Sequence, residues 1–546
     1  MILTNDKRNN PALRLDEKTH VEEPLLIQLE SLGWEVIRLE QKQEPSESFR
    51  KHFGEVVLLP KLEEALRTIN PFLREEQVAE VVRRLTTFAQ KDLIKNNRQV
   101  LDLLLENTSV SINHDTGEPS PTVRYVDFKE LKNNSFVAIS QFKIRVSGTD
   151  HHIVPDVVLF LNGLPIVVIE CKSTKVKEPI AEAIDQLLRY SQQRGEGAEG
   201  NQELFHYNQF LVATCRQQAK FGTITTHIEK HWFRWTDPYP RTLDDLPHQG
   251  TTPNDQQRLV AGMCAKENLL SLMQSFTIFT TNDKGQAVKI VGRYQQFRAV
   301  KLAIKHLLTG RNRNERSGII WHTQGSGKSL TMMFMVREMR KHLAFGDWKI
   351  VFLTDRTQLE EQLTGTSKSI GQTVKVAEWI NPDPDRPGRS LKELIKNNAP
   401  DIVMAMMHKF QEHDLKEIFP ELNASPHILI MIDEAHRTQY KMLGANLDRA
   451  MPNAARIAYT GTPIDRTETT FGDYIDKYTM RQSIEDGTTL EIVYEGRTHN
   501  AEVPDKPGMD KRFADVFSDY NLPERLQILG YGSRDSYLEA NDTIKA

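Results

Sequence analysis

The sequence predicts an α/β protein with two sheets in series, a mixed sheet with helices and then a parallel sheet with helices on both faces. In the second part, from about residue 256 to 470, short apolar strands alternate with helical patterns, which is typical of a parallel sheet covered by helices. In the first part, residues 156–172 read as two apolar strands joined by Asn162-Gly163, a pair typical of a tight hairpin turn.

The bulk composition indicates a globular protein that lacks an overall basic charge. The chain has 546 residues, 39% apolar and 26% charged, with a net charge of −4. Nucleic-acid binding would therefore need local basic patches. Three widely separated cysteines, Cys171, Cys215 and Cys264, argue against a zinc site or a disulfide framework and predict a cytoplasmic protein. No apolar run approaches the roughly 20 residues that span a bilayer, so we expect no membrane association.

The first part is predicted to occupy residues 1–235 and to change from helical to strand patterns along its length. The pattern predicts helices at residues 21–32, 62–69, 75–94 and 178–193, and strands at 136–147, within 156–172, and at 205–214. Residues 236–255 are rich in proline and other turn-forming residues, so they read as a linker.

The second part is predicted to occupy residues 256–470. Its apolar strands are expected at residues 318–322, 349–354, 401–407, 428–432 and 456–459. From residue 471 the patterning becomes weaker. A turn signal at residues 504–511 and a helical ending are the features that remain there.

A phosphate-binding loop follows the first of these strands. The strand runs into Thr323-Gln324-Gly325-Ser326-Gly327-Lys328-Ser329, and a helical segment follows. Gly325, Ser326 and Gly327 would let backbone N–H groups cradle phosphate oxygens, Lys328 would add a positive charge, and Ser329 could bind Mg²⁺. The usual pattern begins with glycine, whereas His322 stands at that place.

A second acidic element completes the predicted nucleotide site. The strand at 428–432 is followed by Asp433-Glu434-Ala435-His436. Asp433 would hold Mg²⁺, and Glu434 would orient the attacking water. Because ligands of open parallel sheets bind at the carboxyl ends of the strands, this placement favours an NTP site.

With these motifs the chain resembles superfamily 2 helicases and translocases. The resemblance implies that Gln296 reads adenine, which makes ATP the nucleotide, and that Tyr294 or Arg293 stacks on the base. It also implies that Thr460 and Thr462, in Thr460-Gly461-Thr462-Pro463, couple hydrolysis to DNA movement, and that residues 351–356 contact the nucleic-acid backbone.

The hairpin of the first part carries a charge pattern typical of a metal-dependent nuclease. Asp156 begins the first strand, and Glu170 and Lys172 end the second, with one residue between them, so that both point to one face. Two carboxylates could bind Mg²⁺, and the lysine would lie near the attacking water. This layout is that of PD-(D/E)xK nucleases.

Two further elements resemble such nucleases. Gln186 and Tyr190 lie one turn apart on the following helix, as in the Gln-x-x-x-Tyr element of RecB-like nucleases and type I restriction enzymes. An acid on the first helix often joins the metal site in these nucleases, and Glu22 and Glu23 are both candidates. The sequence does not choose between them.

The whole arrangement resembles the restriction (motor) subunit of type I restriction-modification enzymes. The resemblance covers about residues 21–494 and implies double-stranded DNA, a modification (methyltransferase) subunit and a specificity subunit as partners, with ATP and Mg²⁺ as cofactors. It also implies that a second RecA-like lobe should follow and supply an arginine to the γ-phosphate. Gly496-Arg497 does not continue the expected motif. We therefore expect an N-terminal fragment, in which residues 471–546 are a linker and an incomplete second lobe, with weak ATP hydrolysis by the chain alone.

Two alternatives stay open at this point. The chain could be a translocase without nuclease activity, in repair or remodelling, whose first domain binds DNA or partners. It could also be a scaffold that docks other subunits and holds ATP as a structural ligand.

Overall fold

The computed structural model describes most of the chain up to residue 489. The described residues are 16–40, 42–195, 198–246, 252–282, 284–354, 374–384, 387–406, 409–410, 419–433, 440–462, 471–489, 508 and 511. Contacts group the chain into a compact unit of residues 1–489 and a second unit of residues 490–546. Both sheets lie in the first unit.

The strands, in chain order, are β1 Glu35–Arg38, β2 Thr108–Ser109, β3 Thr122–Val123, β4 Phe136–Ser140, β5 Ile144–Arg145, β6 His152–Ile153, β7 Val157–Leu161, β8 Leu164–Cys171, β9 Phe210–Thr214, β10 Ala219–Gly222, β11 Thr277–Thr281, β12 Ala287–Val291, β13 Gly318–His322, β14 Lys349–Thr354, β15 Val374–Val376, β16 Ile402–Met406, β17 Ile428–Asp433, β18 Ala455–Thr460 and β19 Tyr474–Tyr478.

The α-helices are α1 Glu23–Ser31, α2 Leu59–Ile69, α3 Glu75–Thr86, α4 Leu93–Glu106, α5 Pro179–Tyr190, α6 Asp255–Met263, α7 Lys266–Ser275, α8 Tyr294–Thr309, α9 Arg313–Arg316, α10 Lys328–Lys341, α11 Leu391–Lys396, α12 Tyr440–Ala450 and α13 Met480–Glu485. A π turn, Lys18–Glu22, leads directly into α1. None of the helices in the described ranges is long and apolar enough to cross a membrane.

The first sheet is mixed and has the strand order β1-β4-β7-β8-β9-β10. Its centre is the antiparallel pair β7 and β8, in which every residue is buried. Asn162 and Gly163 join this pair with φ angles of 51° and 78°, as a tight hairpin turn requires. A Cβ on Gly163 would lie 2.4 Å from the carbonyl oxygen of Leu58, so only glycine fits there. The predicted hairpin is confirmed.

The second sheet is parallel throughout, with the order β15-β16-β14-β17-β18-β13-β19. The five predicted strands are all present, and β13, β14, β16, β17 and β18 form its centre. The edge strand β19 pairs with β13 but follows residue 470, where the sequence analysis placed the end of this part. The sheet therefore extends at least to Tyr478.

One helical prediction was wrong, and several elements were not predicted. The run predicted at residues 75–94 is divided between two helices, α3 and α4. Asp92 lies at the end of the break between them, where its side chain caps α4 by accepting hydrogen bonds from the backbone N–H groups of Ile94 and Lys95. The hairpin of β11 and β12 and the helices α6 and α7 were not foreseen in the stretch before the phosphate loop.

The two sheets are joined through one continuous apolar core. The helix α6 packs on α1, where the side chain of Gln256 donates to the carbonyl of Val21 at 3.0 Å. The indole of Trp34 donates to the carbonyl of Cys264 at 2.9 Å. The stretch read as a linker therefore leads into a helix that lies directly against the first helix of the chain.

Candidate active sites

The hairpin of β7 and β8 brings the three predicted nuclease residues to one corner of the first sheet. Val157 lies opposite Ile169, so the register places Asp156 beside Glu170. The backbone N–H of Cys171 donates to Asp156 Oδ2 at 2.8 Å. Lys172 Nζ donates to Glu170 Oε1 at 2.7 Å. The two carboxylates and the ammonium group therefore share one face of the hairpin, as the spacing predicted.

The second carboxylate oxygen of Glu170 is the exceptional atom of this corner. Glu170 is fully buried, and its Oε2 has no hydrogen-bond partner in the described structure. Burial, and then the charge of Asp156, raise the pKa of Glu170 well above its usual value despite the attraction of Lys172. An unpaired buried carboxylate oxygen is costly, and a divalent cation would compensate it.

The π turn before α1 adds two more carboxylates to the corner. Glu17 directly precedes the turn, and Glu22 ends it. Because a π turn brings residues about five apart onto one face, both side chains approach the hairpin. Glu17 accepts from the N–H of Ser173 at 3.2 Å, and Glu22 accepts from the side chain of Gln141 at 2.7 Å.

Of the two first-helix candidates, the structure places Glu22 and not Glu23 beside the hairpin. Glu22 is 2% exposed and faces Asp156, whereas Glu23 forms a surface ion pair with Arg38 at 2.9 Å. Glu17 was not foreseen from the sequence, since helical periodicity does not reveal a π turn. We name the group Glu17, Glu22, Asp156, Glu170 and Lys172 the acidic corner.

The electrostatics of the acidic corner favour a bound cation. Burial, and then the charge of Asp156, raise the pKa of Glu17 to about 7 and that of Glu22 to about 8. Burial alone would lower the pKa of Lys172, but the attraction of Glu170, Asp156 and Glu17 raises it, so Lys172 stays protonated. Within the described ranges, no three His, Cys, Asp or Glu side chains are already arranged to hold a metal ion.

Gln186 and Tyr190 lie beside this corner and contact each other. Gln186 Nε2 donates to the hydroxyl of Tyr190, which donates to the carbonyl of Val154 at 3.2 Å. Tyr190 is buried; burial, followed by the charges of Glu170 and Asp156, raises its pKa. The pair thus supports the chain just before Asp156.

The acidic corner predicts how stability depends on pH in metal-free buffer. Glu17 and Glu22 hold their protons in the folded state up to about pH 7 and about pH 8, but in the unfolded chain only to about the ordinary value of 4.5. The folded state therefore binds more protons in this window, so the free energy of unfolding falls as the pH rises. Thermal unfolding midpoints in EDTA at increasing pH from 5 to 8 should fall accordingly.

A pair of neighbouring variants checks this assignment. Glu22→Gln should flatten the decline of the unfolding midpoint with pH. Glu23→Gln, which removes only an exposed ion pair to Arg38, should leave it unchanged. An equally steep decline in Glu22→Gln would contradict the assignment.

The phosphate loop, residues 323–329, lies between β13 and α10. Gly325 and Gly327 have φ angles of 80° and 84°, a conformation that glycine adopts without strain. Ser326 is buried, and Ser329 is the second residue of α10. Lys328 is 9% exposed, and its Nζ lies 3.5 Å from the carbonyl oxygen of His322. Backbone, lysine and helix N-terminus therefore converge as a phosphate site requires.

Gln296 lies directly on this loop. Its side-chain Nε2 donates to the carbonyl of Gly327 at 3.1 Å, and its Oε1 accepts from the N–H of Arg293 at 2.9 Å. A Cβ on Gly327 would come within 2.6 Å of that amide nitrogen. The upstream glutamine and the loop, about thirty residues apart in sequence, are therefore one site.

The two predicted base-stacking residues have protein partners in this structure. Arg293 lies over the ring of Phe233, 3.7 Å from its centroid. The hydroxyl of Tyr294 donates to Asp486 at 2.6 Å. Tyr294 and Asp486 also line a cavity of about 590 Å³ beside residues 236–243. A role of Arg293 or Tyr294 in adenine stacking stays a prediction.

His322 stands where phosphate loops usually begin with glycine. Its contact with β19 explains why a histidine occupies this position. Its Nε2 lies 2.7 Å from Asp476 on that strand, and the imidazole is fully buried. Asp476 in turn accepts from Arg298 Nε at 2.7 Å. The imidazole therefore links β13, the strand before the phosphate loop, to the edge strand β19.

The remaining described residues of the predicted ATP site lie at the same edge of the second sheet. Asp433 ends β17, Thr460 ends β18, and the two strands are neighbours. A Cβ on Gly461 would lie 3.2 Å from Lys328 Nζ, so this turn packs against the phosphate loop. The N–H of Thr462 donates to Thr460 Oγ1 at 3.2 Å. Glu434, Asp355, Arg356 and Pro463 lie outside the described residues.

Comparison with protein families identifies both parts of the chain. Residues 14–230 match the family described as type I restriction enzyme R protein N terminus, and residues 295–526 match the family described as SWI2/SNF2 ATPase. The first match contains the acidic corner, and the second contains the phosphate loop.

Curated relatives match the chain over most of its length. A putative type I restriction enzyme MjaIXP endonuclease subunit of Methanocaldococcus jannaschii is 29% identical over 91% of this chain and 47% of its own length. The type I restriction enzyme HindI endonuclease subunit of Haemophilus influenzae is 31% identical over 87% of this chain and 46% of its own length. The chain thus spans about half the length of these relatives.

A solved structure of a nuclease-deletion mutant of the Type ISP restriction-modification enzyme LlaGI with a DNA substrate mimic is also similar. It is 16% identical, with a TM-score of 0.26, over 44% of this chain and 24% of that one. The two family matches in this order, together with the curated relatives, show that the chain is similar to type I restriction enzyme R proteins in its first part and to SWI2/SNF2 ATPases in its second.

Proposed function

We propose that the chain supplies the DNA-cutting site and one ATP-binding lobe of a type I restriction endonuclease. In this proposal, Mg²⁺-dependent cleavage of double-stranded DNA is coupled to ATP-driven DNA translocation. The observation that carries it is the fully buried Glu170, which lies opposite Asp156, is paired with Lys172 through Oε1 and has no partner for Oε2 in the described structure, in the same chain as a phosphate loop. Residues 1–235 would form the nuclease domain and the second sheet the motor lobe.

In the nuclease domain, Asp156 and Glu170 would hold Mg²⁺, with Glu22 as a third carboxylate. Magnesium is commonly held by one or two carboxylates and several waters, which suits a corner where three protein ligands do not yet converge. When bound, it stabilises negative charge on the phosphodiester. Lys172, which stays protonated beside Glu170, would offset the charge that develops near the attacking water. Gln186 and Tyr190 would keep the chain before Asp156 in place.

In the motor lobe, ATP would place its phosphates on the backbone N–H groups of residues 325–329. Lys328 would neutralise the phosphates, and Ser329 and Asp433 would hold Mg²⁺. The carboxylate of Glu434 would orient the attacking water, and Gln296 would read adenine. Thr460 and Thr462, whose turn packs against the loop, would couple hydrolysis to DNA movement.

The names of the curated relatives, which are endonuclease subunits of type I restriction enzymes, support the proposed partners. Double-stranded DNA would be the substrate, contacted mostly through its phosphates because a translocating motor cannot depend on sequence. A modification (methyltransferase) subunit and a specificity subunit would complete the enzyme. A cytoplasmic location is supported by three buried cysteines that are all free thiols.

Reconstitution tests the proposal. The chain should co-purify with modification and specificity subunits, and the complex should cut a long DNA that contains the recognition site only when ATP and Mg²⁺ are both present. A complex that consumes ATP on DNA but never cuts it would instead favour a translocase without nuclease activity. A complex without detectable ATP hydrolysis would favour a scaffold.

A further inference from the structure

We propose that Gln141 is a positioning residue of the acidic corner. Its side-chain amide holds the carboxylates of Glu22 and Asp156 together, so that both face one cation. This inference rests on the proposed function, since it concerns the metal site that the function requires. Neither the motif pattern nor the family matches assign a role to this glutamine.

The side chain of Gln141 bridges two elements that are distant in sequence. Its Nε2 donates to Glu22 Oε2 at 2.7 Å and lies 3.3 Å from Asp156 Oδ1. Glu22 belongs to the π turn before α1, and Asp156 precedes β7. The amide therefore fixes the distance between two carboxylates that no shared element of backbone holds together.

The backbone of Gln141 is itself held on both sides. Its N–H donates to the carbonyl of Asp156 at 2.7 Å, and its carbonyl accepts from Gln43 Nε2 at 2.8 Å. The residue directly follows β4, which pairs with β7 through Ser140 and Val157. These contacts fix the backbone of Gln141, so its side-chain amide is held in place beside the acidic corner.

The backbone conformation at this position does not favour glutamine. The φ angle of Gln141 is 55°, a left-handed conformation that suits glycine and asparagine better. Strained residues of this kind cluster at ligand sites, where the surrounding structure holds them. The reach of the glutamine side chain, rather than its backbone preference, accounts for its place here.

The chemistry of an amide suits the task. A carboxamide donates hydrogen bonds to both groups without a formal charge of its own, so it does not neutralise the negative charge that they carry once a cation displaces their protons. A lysine or arginine at this place would compete with the metal. Lys172 contacts Glu170 instead. Glu170 is therefore held by a charged side chain, whereas Glu22 and Asp156 are held by a neutral amide.

The test replaces Gln141 by asparagine, which suits the left-handed backbone but is one methylene too short to bridge. Mn²⁺ binding to the nucleotide-free chain, followed by electron paramagnetic resonance, should weaken by about 10–100-fold, as is typical when a group that orients a metal ligand is lost. The unfolding midpoint in EDTA should stay near that of the wild type. If Gln141→Asn does not fold, Gln141→Gly, which also permits this φ angle, takes its place with the same expectation.

A matched control is available in the same domain. Gln192 has the same φ angle of 55° and donates through its side chain to the carbonyl of Gly200 at 2.9 Å. Gln192→Asn is therefore the same substitution on the same backbone conformation, and it should leave Mn²⁺ affinity unchanged.

The decisive comparison uses Glu22→Gln as a background. If Gln141 acts by orienting Glu22, then Gln141→Asn should cost little further Mn²⁺ affinity once Glu22 is neutral. Wild-type Mn²⁺ affinity in Gln141→Asn, or an equal loss in the Glu22→Gln background, overturns the inference while the metal site stands. If Asp156→Asn also binds Mn²⁺ normally, the metal site itself is wrong, and the inference is overturned together with the proposed nuclease.

Discussion

Replacement of Lys328 by alanine is expected to abolish ATP binding and, with it, every ATP-driven step. Lys328 Nζ lies at the phosphate loop beside the Gly461 turn, where it would meet the β- and γ-phosphates. Loss of one charge-stabilising donor in such a site typically lowers a rate by on the order of 100-fold to 1,000-fold. ATP hydrolysis by the reconstituted complex should fall by at least this factor, and binding of a fluorescent ATP analogue to the chain should no longer be detected.

An exposed lysine on the helix before the loop provides the control. Lys305 lies on α8, exposed, so Lys305→Ala should bind ATP as the wild type does. Mn²⁺ binding at the acidic corner of the Lys328→Ala protein should be unchanged, because the two sites lie on different sheets. Normal ATP binding by Lys328→Ala would mean that residues 323–329 are not the nucleotide site.

Glu170→Gln is expected to have the largest effect on the nuclease. The substitution keeps the shape of the side chain but removes the charge of a fully buried carboxylate whose second oxygen lacks a partner. Metal coordination stabilises the transition state by several kcal/mol, and each 1.4 kcal/mol is worth about tenfold in rate. DNA cutting by the complex should therefore fall by on the order of 1,000-fold, and Mn²⁺ binding to the chain should be lost.

Glu203→Gln serves as the comparison for this variant. Glu203 is an exposed carboxylate of the same part of the chain, so its neutralisation should change neither cutting nor Mn²⁺ binding. If Glu170→Gln kept both DNA cutting and Mn²⁺ binding, Glu170 would have no part in the mechanism. Its unpaired oxygen would then have no functional explanation.

The features that the sequence predicted correctly are local. The β7–β8 hairpin and the closeness of Asp156, Glu170 and Lys172 follow from alternating strands and a two-residue turn, while the catalytic role of these residues stays a prediction. The phosphate loop and its strand follow from one contiguous motif. Such patterns depend on neighbouring residues, so they can be read from the sequence.

The features that were missed depend on contacts between distant residues. Glu17 reaches the acidic corner through a π turn, which no helical period reveals. Gln141 is adjacent to Glu22 across 119 positions of sequence. His322 looked like a departure from the loop pattern because its partner Asp476 is 154 positions away, on a strand that the weak patterning after residue 470 concealed.

The most direct test of the central claim, that one chain carries separate DNA-cutting and ATP-hydrolysing sites, is a paired measurement on Asp156→Asn in the complete complex. Cutting of a long DNA and consumption of ATP are followed in the same reaction. The account predicts that cutting disappears while ATP consumption continues at the wild-type rate. Asp156 belongs to the acidic corner of the first sheet, whereas the phosphate loop lies on the second sheet. Continued cutting by Asp156→Asn would contradict it.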